Sequence, residues 1–185
     1  MGGAKDVAAL GAIYRTGLRE FVGGRIEYSS FRGQDRSALG HGIVYDVEAG
    51  YKIRTAYPDY TVRVVGTHAS YSANGGSLTP RMASLVPVGD EATPAFYMPQ
   101  GFTQAGVLFG FGTELLDEYT RKWRPFGEVG LLRDTRARQN FRVQGGLAGS
   151  VFGNDHLALY ISHETAARNG GKPLTELGMR YRWLY

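Results

Sequence analysis

The 185 residues fit one domain or a piece of one, on a prior of roughly 100 to 200 residues per domain. Cysteine is absent, which excludes disulfide frameworks, thiolate metal sites and cysteine nucleophiles. The net charge of +4 comes from 21 Lys and Arg against 17 Asp and Glu, and the two signs alternate along the chain rather than clustering as a nucleic-acid surface requires. No apolar run reaches the ~18 residues of a transmembrane helix. A transmembrane barrel remains open, because it hides its lipid face in every second residue.

Met1-Gly2-Gly3-Ala4-Lys5-Asp6 lacks the apolar core of a secretory signal. Either the protein stays inside the cell or the chain begins downstream of its export signal, and the strand pattern favours the second. Two-residue alternation recurs in stretch after stretch between turn signals, as in an all-β protein. Ile26 and Tyr28 oppose Arg25 and Glu27. Tyr45, Val47, Ala49, Tyr51 and Ile53 oppose Asp46, Glu48, Gly50, Lys52 and Arg54, and Val62 and Val64 oppose Arg63. Val107, Phe109 and Phe111 oppose Gly106, Gly110 and Gly112, while Val129 and Leu131 oppose Glu128 and Gly130. Phe141, Val143 and Leu147 oppose Arg142, Gln144 and Ala148; Leu157, Leu159 and Ile161 oppose Ala158, Tyr160 and Ser162. Leu177, Met179, Tyr181, Trp183 and Tyr185 oppose Glu176, Gly178, Arg180 and Arg182.

About nine strands follow, over residues 7–16, 20–32, 40–54, 60–73, 102–114, 122–133, 140–152, 156–165 and 174–185. Tight turns are expected at Thr16-Gly17-Leu18, Tyr57-Pro58-Asp59 and Gly153-Asn154-Asp155. Longer links fall at 33–39, 74–101, 134–139 and 166–173, and short turns alternating with long loops is the asymmetry of outer-membrane barrels. The link over 115–121 is long for its side. Within 74–101, Thr79-Pro80 reads as a helix start, with threonine as the cap and proline in the first turn. That loop reads either as a surface loop or as a lid folded into the lumen. A soluble β-sandwich would explain the alternation too, but the strands are long for one.

Chemistry-bearing motifs are weak. The four histidines are scattered, no zincin, GxSxG or phosphate-binding glycine motif occurs, and His68 with Ser70 is the one candidate pair, with no orienting acid. Neither catalysis nor a cofactor or metal is expected. Gly106, Gly110, Gly112, Gly145, Gly146 and Gly149 read as positions where the sheet bends or a bulky neighbour leans across.

The expected fold is an antiparallel up-and-down transmembrane β-barrel. Its lumen-lining candidates are Arg25, Glu27, Asp46, Glu48, Arg63, Glu128, Arg142, Tyr160, Glu176, Arg180 and Arg182. Lys52, Arg54, Glu114, Arg124 and Glu164 fall on the same face, which makes seven acids against eight bases, a nearly balanced wall with no strong field of either sign. Inward Tyr71, Phe126 and Tyr160 offer flat aromatic faces for a ligand or for packing.

The ending Leu-Gly-Met-Arg-Tyr-Arg-Trp-Leu-Tyr resembles the C-terminal assembly signal of bacterial outer-membrane barrels, carried here by Leu177, Met179, Tyr181, Trp183 and Tyr185. Three segments, Tyr57-Pro58-Asp59-Tyr60-Thr61-Val62-Arg63, the run from Tyr119 to Phe126 and the run from Ala148 to Tyr160, resemble the C-terminal porin part of Pel exopolysaccharide export proteins. The similarity spans 20–185. It implies a barrel larger than nine strands, of which this chain is the C-terminal portion, and odd strand parity agrees. It further implies outer-membrane lipid, a polysaccharide substrate, the barrel assembly machinery and upstream periplasmic tetratricopeptide repeats as partners, with no nucleic acid. Related polysaccharide exporters and a phage-adsorption receptor are the competing readings.

Overall fold

The computed structural model describes residues 3–116, 118–136, 139–165 and 173–184. Nine strands form one sheet in which each strand neighbours the next in sequence: β1 (Ala4–Arg15), β2 (Glu20–Arg32), β3 (Ala38–Arg54), β4 (Tyr60–Ala73), β5 (Phe102–Phe111), β6 (Arg124–Asp134), β7 (Asn140–Gly149), β8 (Asp155–Glu164) and β9 (Leu174–Trp183). The sheet is antiparallel and up-and-down, as the alternation predicts. Its strands have 10 to 17 residues, enough to cross the hydrocarbon core of a bilayer, which takes about 9 to 11.

Alternation places the large apolar residues on one uncovered face. Leu131 is 70% exposed, Met179 70% and Leu177 84%, and Val107, Phe109, Val129, Leu159, Tyr181 and Trp183 are exposed beside them. A sandwich would bury this face against a second sheet; here it is open, so the sandwich reading fails. Leu177, Met179, Tyr181 and Trp183 of the C-terminal run all lie on it, while Tyr185 lies outside the described residues.

The chain packs as two compact units. The first comprises residues 1–12, 24–46 and 67–103 and contains the long loop after β4. Thr79 caps α1 (Pro80–Ala83) as expected, its hydroxyl accepting from the Met82 N–H. The loop is not a loose surface excursion: Leu78 and Met82 are buried with Leu39, and Phe31, Tyr97 and Met98 pack around them. Tyr97 donates its hydroxyl proton to the Met82 carbonyl at 2.7 Å. The link from β2 to β3 is clasped to the same loop, because Asp35 accepts hydrogen bonds from Ser37 and Thr79.

The second unit comprises residues 13–23, 47–66 and 104–185. It carries the short turns and β5 to β9. Asp155 closes the β7–β8 turn by accepting from Ser150 Oγ and the Val151 and Phe152 N–H groups through one oxygen, at 2.7 to 3.0 Å, and Gly153 supplies φ +97°. This clasp ends β7 at Gly149, short of the expected Phe152.

The end of β5 differs more consequentially from the expected one. β5 stops at Phe111 rather than at 114, because Gly112 takes φ +60° and the chain folds into a 3-10 turn over Thr113–Leu116. Glu114 therefore reaches the polar face from that turn and not by strand alternation.

Candidate functional site

The polar face of the second unit carries a half-open cavity of about 440 Å³. Its wall is built by same-face residues of five strands: Thr61 and Arg63 from β4, Phe126 and Glu128 from β6, Arg142 and Gln144 from β7, Tyr160 and Ser162 from β8, Glu176 and Arg180 from β9. Lys52 of β3, Arg15 of β1, Phe21 of β2 and the Thr113–Leu116 turn complete it.

The strand register arranges these residues in rows. Glu128 faces Gln144, Gln144 faces Ser162, and Ser162 faces Glu176, so a carboxylate, an amide, a hydroxyl and a second carboxylate run straight across four strands. In the next row Phe126 faces Gly146, Gly146 faces Tyr160, and Tyr160 faces Gly178. Each ring leans over a glycine: a Cβ on Gly146 would meet Phe126 Cζ at 2.7 Å, and one on Gly178 would meet Tyr160 Cζ at 2.1 Å. The space that a side chain would take at each glycine is filled by the ring. The same holds for Gly149 beneath Trp123 and Gly106 against the Leu131 carbonyl, but not for Gly145, which has only a carbonyl oxygen at 4.0 Å.

Charges on the wall meet charges. Arg63 donates to Glu48 at 3.0 Å and also to Glu128, joining β3, β4 and β6 through one guanidinium. Lys52 pairs with Glu114. Five bases (Arg15, Lys52, Arg63, Arg142, Arg180) stand against four acids (Glu114, Glu118, Glu128, Glu176), so opposite signs neutralise one another locally instead of building a field of one sign.

Six of the eleven lumen-lining candidates from sequence line this cavity together, Arg63, Glu128, Arg142, Tyr160, Glu176 and Arg180, joined by Lys52, Glu114 and Phe126 of the same expected face. Glu48 reaches it through Arg63. Arg25, Glu27 and Asp46 belong to the first unit, where Glu27 accepts from Lys5 at 2.9 Å and Arg25 at 2.8 Å, and Asp46 from Thr67 at 2.7 Å. Arg182 stands opposite His156 in the β8–β9 ladder. Tyr71 also lies in the first unit, beside Phe31 at 5.9 Å between ring centroids. Phe126 is on the expected face but is 2% exposed, packed with Leu115, Ala148 and Ala158, so it supports the wall and presents no ring to a ligand. His68 does not pair with Ser70; its Nδ1 lies 2.8 Å from Thr103 Oγ1.

Sequence reasoning missed the Thr113–Leu116 turn and the buried His156 beneath it. The His156 Nε2–H donates to the Leu115 carbonyl at 2.7 Å. The available signal was parity, since His156 shares the alternation of Ala158 and Tyr160, together with the unexpected length of the β5–β6 link.

No curated protein and no solved structure matches the chain. A family model described as "PelB, C-terminal beta barrel domain" matches residues 1–184, extending the resemblance through β1. With the nine-stranded antiparallel sheet, this match over nearly every residue shows that the chain belongs to the PelB C-terminal β-barrel domain family.

Proposed function

We propose that the chain is a segment of an outer-membrane β-barrel that lines a passive channel for a secreted polysaccharide of the Pel-like kind, a component of biofilm matrix. The observation that carries this reading is the pair of rows on β6 to β9. A carboxylate–amide–hydroxyl–carboxylate line lies beside Tyr160, offering hydrogen-bond partners to ring hydroxyls and one aromatic surface beside them. Pores select by such wall chemistry at close quarters. The family, described as a β-barrel domain, supports the same reading.

Placement in the outer membrane is supported by the open apolar face, which water solvates poorly and lipid tails accept. In this arrangement the short turns lie in the periplasm and residues 74–101 outside the cell. The proposed lumen takes Arg25, Glu27, Asp46, Glu48, Arg63, Glu128, Arg142, Tyr160, Glu176, Arg180 and Arg182. β1 and β9 stand at the two ends of the strand order, and hydrocarbon satisfies no strand edge, so further strands of a larger barrel are proposed to meet them. Proposed partners are outer-membrane lipid, the barrel assembly machinery that reads the C-terminal signal, and periplasmic repeats upstream.

The test is polymer secretion by cells carrying Gln144→Ala with Ser162→Ala in the protein that contains this chain, with membrane insertion followed by heat-modifiable migration. Secretion should fall at least several-fold while insertion is retained. Undiminished secretion by an inserted variant, or recovery of the protein in the soluble periplasm, would overturn the reading. The rival, a surface receptor, draws on the exposed Val88 and Phe96 of the long loop; loss of phage adsorption with secretion intact on deleting 85–96 would favour it.

A further inference from the structure

We infer that the Thr113–Leu116 turn is a retractable constriction at the short-turn end of the channel, an inference that rests on the export reading above. A connection between antiparallel neighbours needs only a few residues, yet this one leaves the sheet and folds back onto the polar face, where Thr113, Glu114 and Leu116 form part of the cavity wall.

The turn is held by side chains rather than by the ladder. Leu115 is buried at 6% exposure against Phe126, Ala148 and Ala158. Its carbonyl accepts from His156 Nε2, the Leu116 carbonyl accepts from Arg180 at 3.4 Å, and Glu114 pairs with Lys52. None of these contacts belongs to strand pairing, so all of them can be released with the sheet intact. The pivot is Gly112, whose φ of +60° suits glycine and whose N–H donates to the Asp59 carbonyl at 2.9 Å.

The seat beneath the turn is also incompletely satisfied. His156 is 2% exposed, and its Nδ1 has no hydrogen-bond partner among the described residues. A buried polar atom left without a partner penalises the docked state. A docked position held by side-chain contacts that are separable from the strand ladder, over an unsatisfied seat, can be left with the sheet intact. Displacement would widen the cavity at the point where a polymer enters from the short-turn side.

Two variants test this in secreting cells. In Leu115→Cys, a membrane-impermeant thiol reagent should label the cysteine several-fold faster while polymer is being secreted than when synthesis is switched off. In Lys52→Cys with Glu114→Cys, a reducible bifunctional thiol reagent should stop secretion, and reduction should restore it. If Leu115→Cys fails to insert, the cross-link decides alone. Secretion that continues through the locked turn overturns the constriction while leaving the export reading standing. Secretion that does not depend on the barrel at all removes the export reading itself and the constriction with it.

Discussion

Tyr160 of β8 covers Gly178 of β9 so closely that a Cβ on the glycine would fall 2.1 Å from the ring. The contact is to the far end of a side chain, so Gly178→Ala should swing Tyr160 away with a modest loss of stability. Gly146 differs, because its added Cβ would meet the Leu159 carbonyl oxygen at 2.2 Å, and backbone cannot swing. We expect Gly146→Ala to cost ~1–3 kcal/mol as overpacking and Gly145→Ala to stay within about 0.5 kcal/mol, measured as urea midpoints of the detergent-folded barrel. Equal losses at 145 and 146 would contradict the register.

Arg63 neutralises two acids of very different burial, with Glu128 at 6% side-chain exposure and Glu48 at 26%. Arg63→Met leaves the Glu128 carboxylate buried and unpaired, on the scale of ~3 kcal/mol for breaking a buried pair. Glu48→Gln should cost less than about 1 kcal/mol. Adding Glu128→Gln to Arg63→Met should recover most of the loss. A double variant no more stable than the single one would show that the guanidinium acts by packing alone.

Asp59, in the turn before β4, is buried at 3% exposure with Oδ2 unpartnered, and burial pushes its carboxyl above the ordinary 3.8. A raised folded-state value means that its contribution is present below the unfolded value and is lost as pH rises through the folded one. Asp59→Asn should therefore stabilise the protein at pH 7, by about 1 kcal/mol, and give no gain at pH 3. A gain of the same size at both pH values would refute the titration argument.

Asp35 is the opposite case. Hydrogen bonds from the Ser37 side chain, from Thr79 and from the Ser37 backbone lower its carboxyl from 3.8 to about 2. The clasp between the β2–β3 link and α1 is thus fully present above the ordinary value and is lost as pH falls from about 4 through about 2. Asp35→Asn should release it at neutral pH, seen as faster trypsin cleavage after Arg36 and Arg81. Unchanged cleavage at both sites would mean that the apolar cluster around Met82 holds the loop without the clasp.

The strands and their faces were legible because large apolar residues recur at every second position, a local property that needs no knowledge of neighbours. Val107, Phe109 and Phe111 mark one face of β5 whatever stands beside it. The polar face was harder to read, because Leu108, Leu132, Ala148 and Ala158 sit on it and their role depends on what crosses from adjacent strands. The Thr113–Leu116 turn was hidden for a related reason. Gly110-Phe111-Gly112-Thr113 continues the alternation in sequence, and only the left-handed backbone at Gly112 breaks it. Burial of Asp59 and His156 likewise arises from segments far away along the chain.

The strand order β1 through β9 follows the chain without a crossover, and that has a kinetic consequence. Every ladder joins neighbours in sequence, so each newly delivered strand closes a loop against the one before it, a long one only between β4 and β5. Contact order stays low for a sheet of this size, and loop-closure entropy is paid in small instalments. The sheet can grow by hairpins, presenting one templating edge at a time. A catalyst of insertion then has to shelter only that edge, and an inserted proline in the middle of β7 should arrest growth there, leaving β8 and β9 sensitive to protease while the strands before them are protected.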